Sequence, residues 1–244
     1  VSIYWKFSSC GNKMNPYYPH AINIPFLRNG ISLYVITAFL LGWIGGGGIM
    51  YTYYTYSPIG LFLITLVLFH ISEFIWVSLY HPKSLSWDSF LLNHSVNYCV
   101  MMSLGFLEYI IESTFLPQMK TPFFISIIGF LVTQIGGCIR LFAMFTAKSN
   151  FDHLIATQKE HDHNLVTHGI YYYCRHPGYA GWFLWAIGTQ IIMLNPVCLI
   201  LYTWISWMFL KERILMEEKY LVKFFGSVYE NYRKRTRTYI PGIY

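Results

Sequence analysis

The sequence predicts an all-α integral membrane protein with about six transmembrane helices, the last two forming a C-terminal helical hairpin. Three observations lead there. Of the 244 residues, 55% are hydrophobic and only 11% charged, against about 25% charged in an average soluble chain. Six apolar segments approach the roughly 20 residues needed to cross a bilayer. Basic residues gather on alternate loops, as the positive-inside rule expects of a multi-pass chain.

Taken in order, residues 1–29 open with VSIYWKFSSCGNKMNPYYPH. They lack the order of charge, apolar run and cleavage site that marks a signal peptide. We expect a cytosolic N-terminal segment, with the first span as its own insertion signal. That span covers about 30–50 and contains Gly45 to Gly48 in a row. Such a run either lets a second helix come close or breaks the helix locally. Further spans follow at 57–80, 94–114 and 122–147. Glu73 and Arg140 fall inside or near spans and should face the bundle interior, whereas Glu108 and Glu112 should sit near the far interface. After a polar stretch, 148–177, come spans at 178–194 and 196–212. They meet at Asn195-Pro196 with no polar loop between them, which predicts a tight hairpin. The organisation is thus 1–29, a membrane bundle of four helices over 30–147, and a C-terminal region over 148–244.

An even number of spans puts both termini on one side. Lys6, Lys13, Arg28, Lys83, Lys148, Lys159, Arg175 and the run through Lys234, Arg235 and Arg237 fall there; the opposite loops hold only Lys120. Both ends should be cytosolic. The net charge of +6 then faces an anionic leaflet, and nothing else indicates nucleic acid. Aromatics make up 20% of the chain, which fits interfacial belts of Trp and Tyr. The five cysteines show no CxxC spacing, so neither a disulfide framework nor a zinc ribbon is expected.

Polar chemistry is confined to two places. The stretch 148–177 holds His153, His161, His163 and His168. Imidazole is the commonest metal ligand, but these spacings lack the tight boxes of membrane di-iron enzymes. We expect no metal, and most of these histidines to be solvated. RHPGYAG, 175–181, places a proline where a helix should begin. The helix start suits an anionic group, and Gly178 and Gly181 leave room for a ligand or another backbone; an ordinary helix start is the alternative. The second place is KERILMEE, 211–218, continuing from the last span. Arg213 and Glu217 are four residues apart on one helix face. They form either an interfacial salt bridge or a split site in which the arginine holds an anion and the glutamate a cation or sugar hydroxyls. The hairpin returns Pro177 and Arg213 to the same membrane face, so both places can line one cavity.

At RHPGYAGWF the chain resembles the isoprenylcysteine carboxyl methyltransferases. The resemblance runs on through IGTQIIMLNPVCLILYTWISWMFLKERILMEE and FFGSVYENYRKRT, and upstream through NLVTHGIY to SLSWDSFLLNHSVNY at 84–98. RHPxYxG alone is shared with membrane sterol reductases and phospholipid methyltransferases; RHPGYAGWF, LNP and ERILMEE in this order are more specific. The resemblance implies methyl transfer from S-adenosylmethionine to the carboxylate of a prenylated C-terminal cysteine, after CaaX processing, in the endoplasmic reticulum membrane. It implies a cytosolic donor-binding segment in which His163, Leu165, Val166, Gly169, Tyr171, His176, Pro177 and Tyr179 contact the donor, with Glu217 also within reach. Arg213 is the expected catalytic residue, orienting the acceptor carboxylate, since guanidinium matches carboxylate in two parallel hydrogen bonds. The prenyl tail would enter from the bilayer, through gaps around Gly129, Gly136 and Gly137. A phospholipid methyltransferase, an NADPH-dependent sterol reductase and a non-enzymatic lipid-binding protein are the competing readings.

Overall fold

The computed structural model describes residues 30–92, 95–159 and 163–244. The expected cytosolic N-terminal segment and the pair His161 and Asp162 lie outside the described residues. Among the described residues seven α-helices follow one another: α1 (Gly30–Thr55), α2 (Pro58–Tyr80), α3 (Val96–Phe115), α4 (Phe123–Ala147), α5 (Pro177–Met193), α6 (Pro196–Phe225) and α7 (Ser227–Arg235). Proline sits in the first turn of α2, α5 and α6, where its missing N–H leaves no bond unmade. Among the described residues there is no strand; Cys174 and Arg237 form one isolated parallel bridge.

Three of these helices are long and apolar enough to cross a membrane: Gly30–Thr55, Pro58–Tyr80 and the stretch Phe123–Asn150. The others fall short for identifiable reasons. α3 carries Glu108 and Glu112. α5 has 17 residues, about 25 Å of helix. α6 has 30 residues but becomes charged from Lys211 onward.

α1 is unbroken through the run Gly45 to Gly48. Gly45 and Gly48 are buried; a Cβ on Gly48 would lie 2.9 Å from the Gly60 carbonyl oxygen of α2. Gly46 and Gly47 meet nothing within 4 Å. Close approach, not a break, is therefore what the run provides.

α4 and α5 meet along a seam of small residues. A Cβ on Gly136 would come 2.6 Å from the Gly181 oxygen, one on Gly181 2.5 Å from the Gly136 oxygen, and one on Gly129 2.5 Å from the Ile192 nitrogen. This is backbone against backbone, the association that small residues permit in a bilayer where apolar burial gives helices little preference for each other. It corrects the expectation of an opening at Gly129 and Gly136: the room left by their absent side chains is filled by α5. Gly181 likewise receives α4, and Gly178 receives the ring of Phe151. Gly137 alone of the three meets nothing within 4 Å.

α2 packs against α1, α4 and α5 and buries Phe62, Phe69, His70, Glu73 and Trp76. The chain after α7 folds back beneath α5 and α6. Ile240 and Ile243 join Cys174, Phe183, Leu210 and Ile214 in one apolar cluster, and Arg175 N–H donates to the Arg237 carbonyl at 3.0 Å.

Candidate active site

Near the start of α5, Tyr179 turns toward α6. Its hydroxyl donates to Glu217 Oε2 at 2.5 Å and accepts from Arg213 Nε at 2.9 Å. Arg213 and Glu217 are thus joined through a tyrosine rather than directly, so neither alternative for this pair is complete by itself. The Arg213 guanidinium also lies over the Tyr179 and Phe209 rings, at 5.5 and 5.9 Å from their centres. Its Nη2 donates to the His153 carbonyl. The His176 ring stacks on Tyr179 at 5.6 Å and 18° between planes.

Tyr179, Arg213, His153 and Phe209 border a cavity of about 60 Å³, lined further by Arg140 and Asp152 among charged groups and by Phe69, Phe151 and Trp182 among aromatic ones. Leu91, from the segment between α2 and α3, and Tyr98, in the first turn of α3, close another side. Of the two guanidinium groups facing this small, largely aromatic space, Arg140 is paired with Glu73, and the Asp152 carboxylate lies on the same lining. Arg213 is thus the group an anion there would meet, and low local polarity would strengthen its hydrogen bonds.

Behind the cavity lies a second cluster. Arg175 Nε donates to Glu218 Oε1 at 2.6 Å, and Arg175 Nη1 to the Thr236 carbonyl at 2.8 Å. His176 Nε2 lies 3.2 Å from the same Glu218 oxygen, and Arg233 Nη1 3.5 Å from the other. Burial alone would raise the Glu218 carboxyl; hydrogen bonds from His176 and Arg175 and their charge outweigh it and hold the pKa at about 2. The Cys174 thiol, in contrast, is pushed up to about 11 by burial, so it is no nucleophile at neutral pH.

Among the residues expected to form the site, His176, Pro177, Tyr179, Arg213 and Glu217 converge. Tyr171 lies beside them, in the short 3-10 turn Gly169–Tyr172, where Tyr232 O–H donates to its carbonyl at 2.6 Å. Gly169 opens that turn at φ +59° and packs on Thr146, a conformation that disfavours a side chain. His163 stands apart, edge-on to Phe224 and Phe225 near the end of α6. Leu165 and Val166 are half-buried in the extended stretch between them.

Sequence reasoning missed two participants, His153 and Glu218, and the pairing of two others, Glu73 and Arg140. His153 is not a solvated loop residue: its ring pairs with Glu73 at 2.7 Å and its carbonyl holds Arg213. Glu73 and Arg140 meet each other, with Arg140 Nε and Nη2 donating to the two carboxylate oxygens. Glu218 was passed over for Glu217. One signal pointed to it, since Leu210, Ile214 and Glu218 recur every four residues, a buried stripe that ends in a carboxylate and so demands a partner.

Comparison with known proteins shows the family. Residues 127–223 match the model of the isoprenylcysteine carboxyl methyltransferase family, a stretch that includes Arg140, His153, Tyr179, Arg213 and Glu217. The chain is 42% identical over 210 residues to the protein-S-isoprenylcysteine O-methyltransferase of Mus musculus, spanning 85% of this chain and 74% of that one. It is 46% identical over 190 residues to the protein of the same name from Dictyostelium discoideum, spanning 78% and 80%. The solved structure of a eukaryotic intramembrane Ras methyltransferase of the same family superposes with a TM-score of 0.82 at 41% identity, covering 88% of this chain and 77% of that one. Identity at this level over most of both lengths, in sequence and in fold, makes the chain a member of the isoprenylcysteine carboxyl methyltransferase family.

Proposed function

We propose that this protein transfers a methyl group from S-adenosylmethionine to the C-terminal carboxylate of a prenylated cysteine in CaaX-processed proteins, giving a methyl ester. The observation that carries the reading is the Arg213–Tyr179–Glu217 constellation, set beside an aromatic cavity and borne by helices of a membrane protein. S-adenosylmethionine supplies an electrophilic methyl group on a sulfonium centre. The residues fit such a donor. Glu217 offers a carboxylate to an ammonium or to sugar hydroxyls. The His176–Tyr179 stack offers aromatic faces, which attract a cation. The upstream stretch with Leu165 and Val166 runs from His163, beside Phe224 and Phe225 of α6, to Gly169 on Thr146 of α4 and Tyr171 held by Tyr232 of α7.

The acceptor needs no general base. An α-carboxylate, with an ordinary pKa of about 3.3–3.7, is ionised at neutral pH. What remains is positioning and exclusion of water. Arg213 does the positioning: with Nε on Tyr179 and Nη2 on the His153 carbonyl, Nη1 has no protein partner among the described residues and is available to the acceptor. Tyr179 keeps Arg213 and Glu217 from neutralising each other by contact, so each retains its own ligand.

Six membrane crossings with both termini cytosolic, a polar segment 148–177 open to the cytosol and the closing α5–α6 hairpin complete the proposal, with residence in the endoplasmic reticulum membrane. Residues 1–29, 30–147 and 148–244 then serve as cytosolic lead, membrane bundle and catalytic region. No metal enters this reading. Transfer of label from S-adenosylmethionine to N-acetyl-S-farnesylcysteine by purified protein in lipid tests it. Base-labile label on the prenylcysteine is expected. Label on phosphatidylethanolamine instead, or none on either, would overturn the assignment.

A further inference from the structure

Three charged or polar groups border or support the cavity without any part in the proposed chemistry: Glu73 on α2, Arg140 on α4 and His153 in the segment after α4. Glu73 is 1% exposed and Arg140 7%. Exchanging such a buried ion pair for apolar residues of like volume is often neutral or stabilising, so stability alone does not account for it. Its connections do. Both Glu73 oxygens accept from Arg140, and Oε2 also accepts from His153 Nε2 at 2.7 Å. Arg140 Nη1 reaches the Gly178 carbonyl in the first turn of α5, at 3.3 Å. The His153 carbonyl in turn receives Arg213.

The geometry points to a positioning relay: Glu73, held square by Arg140, fixes His153, and the His153 backbone fixes the Arg213 guanidinium at the angle at which it meets the acceptor carboxylate. The inference rests on Arg213 being the acceptor clamp. It adds that the clamp is aimed from α2, through a carboxylate 140 positions earlier in the chain.

The relay fits the local constraints. Arg213 lies on α6, and its long side chain has many rotamers. Tyr179 fixes only Nε. A second contact on Nη2 sets the plane of the guanidinium, and a flat group with its plane set presents its remaining edge in one direction. The segment carrying His153 is irregular, so its carbonyl is only as well placed as its anchors. Those anchors are the His153–Glu73 bond and His81 Nε2 on the Phe151 carbonyl at 3.0 Å. The first alone leads to a buried, charge-balanced base.

His153→Ala removes the ring and keeps the carbonyl. It should lower kcat/KM for N-acetyl-S-farnesylcysteine at least tenfold, with affinity for S-adenosylmethionine within twofold of wild type. His153→Gln, whose amide can donate to Glu73, should recover most of that loss. In an Arg213→Lys background, which lacks the Nη2 contact, His153→Ala should cost less than twofold. A general structural role would instead cost the same factor in both backgrounds, and that result would overturn the relay. Binding gives a reading that does not need turnover. Wild type should prefer N-acetyl-S-farnesylcysteine over its methyl ester, His153→Ala should lose the preference, and His153→Gln should keep it. A wild type that transfers methyl while His153→Ala behaves identically sinks the relay alone. A wild type that prefers the acid but transfers nothing sinks the methyltransferase reading and leaves the relay standing; no preference in wild type sinks the relay.

Discussion

The two ends of the α5–α6 pair both carry charge, and they use it oppositely. At the turn between the helices, Lys120 Nζ donates to Glu112 Oε2 at 2.6 Å and to the Met193 carbonyl, the Leu194 carbonyl and Asn195 Oδ1, each at 2.9 Å. Four acceptors surround three N–H groups. Asn195 Nδ2 is spent on the Gly105 carbonyl and Gln190, and Glu108 accepts from Val197 and Cys198 N–H at the start of α6. Leu194 sits there at φ +57°, a left-handed conformation costing roughly 1–2 kcal/mol, and the cluster holds it. At the other end, Arg213 keeps donors in reserve beside a cavity. A saturated cluster is a clamp; an unsaturated one bordering space is a site. Charge in a membrane protein becomes informative once the unspent hydrogen bonds are located.

Substitutions at each end sharpen the contrast. Lys120→Met strands Glu112 and three oxygens, and breaking a buried pair this way costs about 3–5 kcal/mol. Thermal unfolding in detergent should show that loss, with turnover per folded molecule close to wild type. Arg213→Ala should do the reverse. Turnover falls about 100–1,000-fold, the scale for losing one aimed donor, while melting temperature and donor affinity hold. If donor affinity fell equally, Arg213 would belong to the donor instead. If both variants lost stability and neither lost turnover selectively, the contrast itself would be broken.

Smaller effects probe the regions between. Glu218 is held at about 2, below its usual 4.5, so its bonds to Arg175 and His176 stabilise fully above about pH 4.5. That contribution fades as pH falls toward 2, because the unfolded chain takes up the proton first. Melting temperature should drop more steeply from about pH 5 to about pH 3 in wild type than in Glu218→Gln; equal slopes would remove Glu218 from the acid response. In the seam, Gly136→Ala forces α4 and α5 apart and should cost about 1–3 kcal/mol. Gly137→Ala, one position on and facing open space, should change stability by less than about 0.5 kcal/mol. An equal change at both would mean that the seam does not decide, since helix propensity by itself favours alanine at each position.

The elements were largely legible. Segments read at 30–50, 57–80, 94–114, 122–147, 178–194 and 196–212 correspond to α1–α6, because apolar runs and prolines act within a few residues of themselves. α6 extends to Phe225, since KERILMEE and its continuation keep a buried stripe at helical spacing after the apolar run ends. RHPGYAG and ERILMEE, read as two places facing one cavity, do meet. The partners of the charges were not legible. Glu73 and Arg140 were each read as facing inward, but nothing near either in sequence names the other, 67 positions away. His153 looked like one more loop histidine because its ring and its carbonyl serve two different helices.

The sequence by itself therefore determined what short-range physics determines: a helical membrane chain, where its helices begin and the family its motifs mark. The tertiary structure decided which of two adjacent glutamates meets Tyr179 and which is buried against Arg175, which glycines take a neighbouring helix, and which charges are spent. These depend on how helices from distant parts of the chain are rotated against one another. A buried charge takes whatever partner that packing supplies, because leaving it unpaired costs more than any local preference.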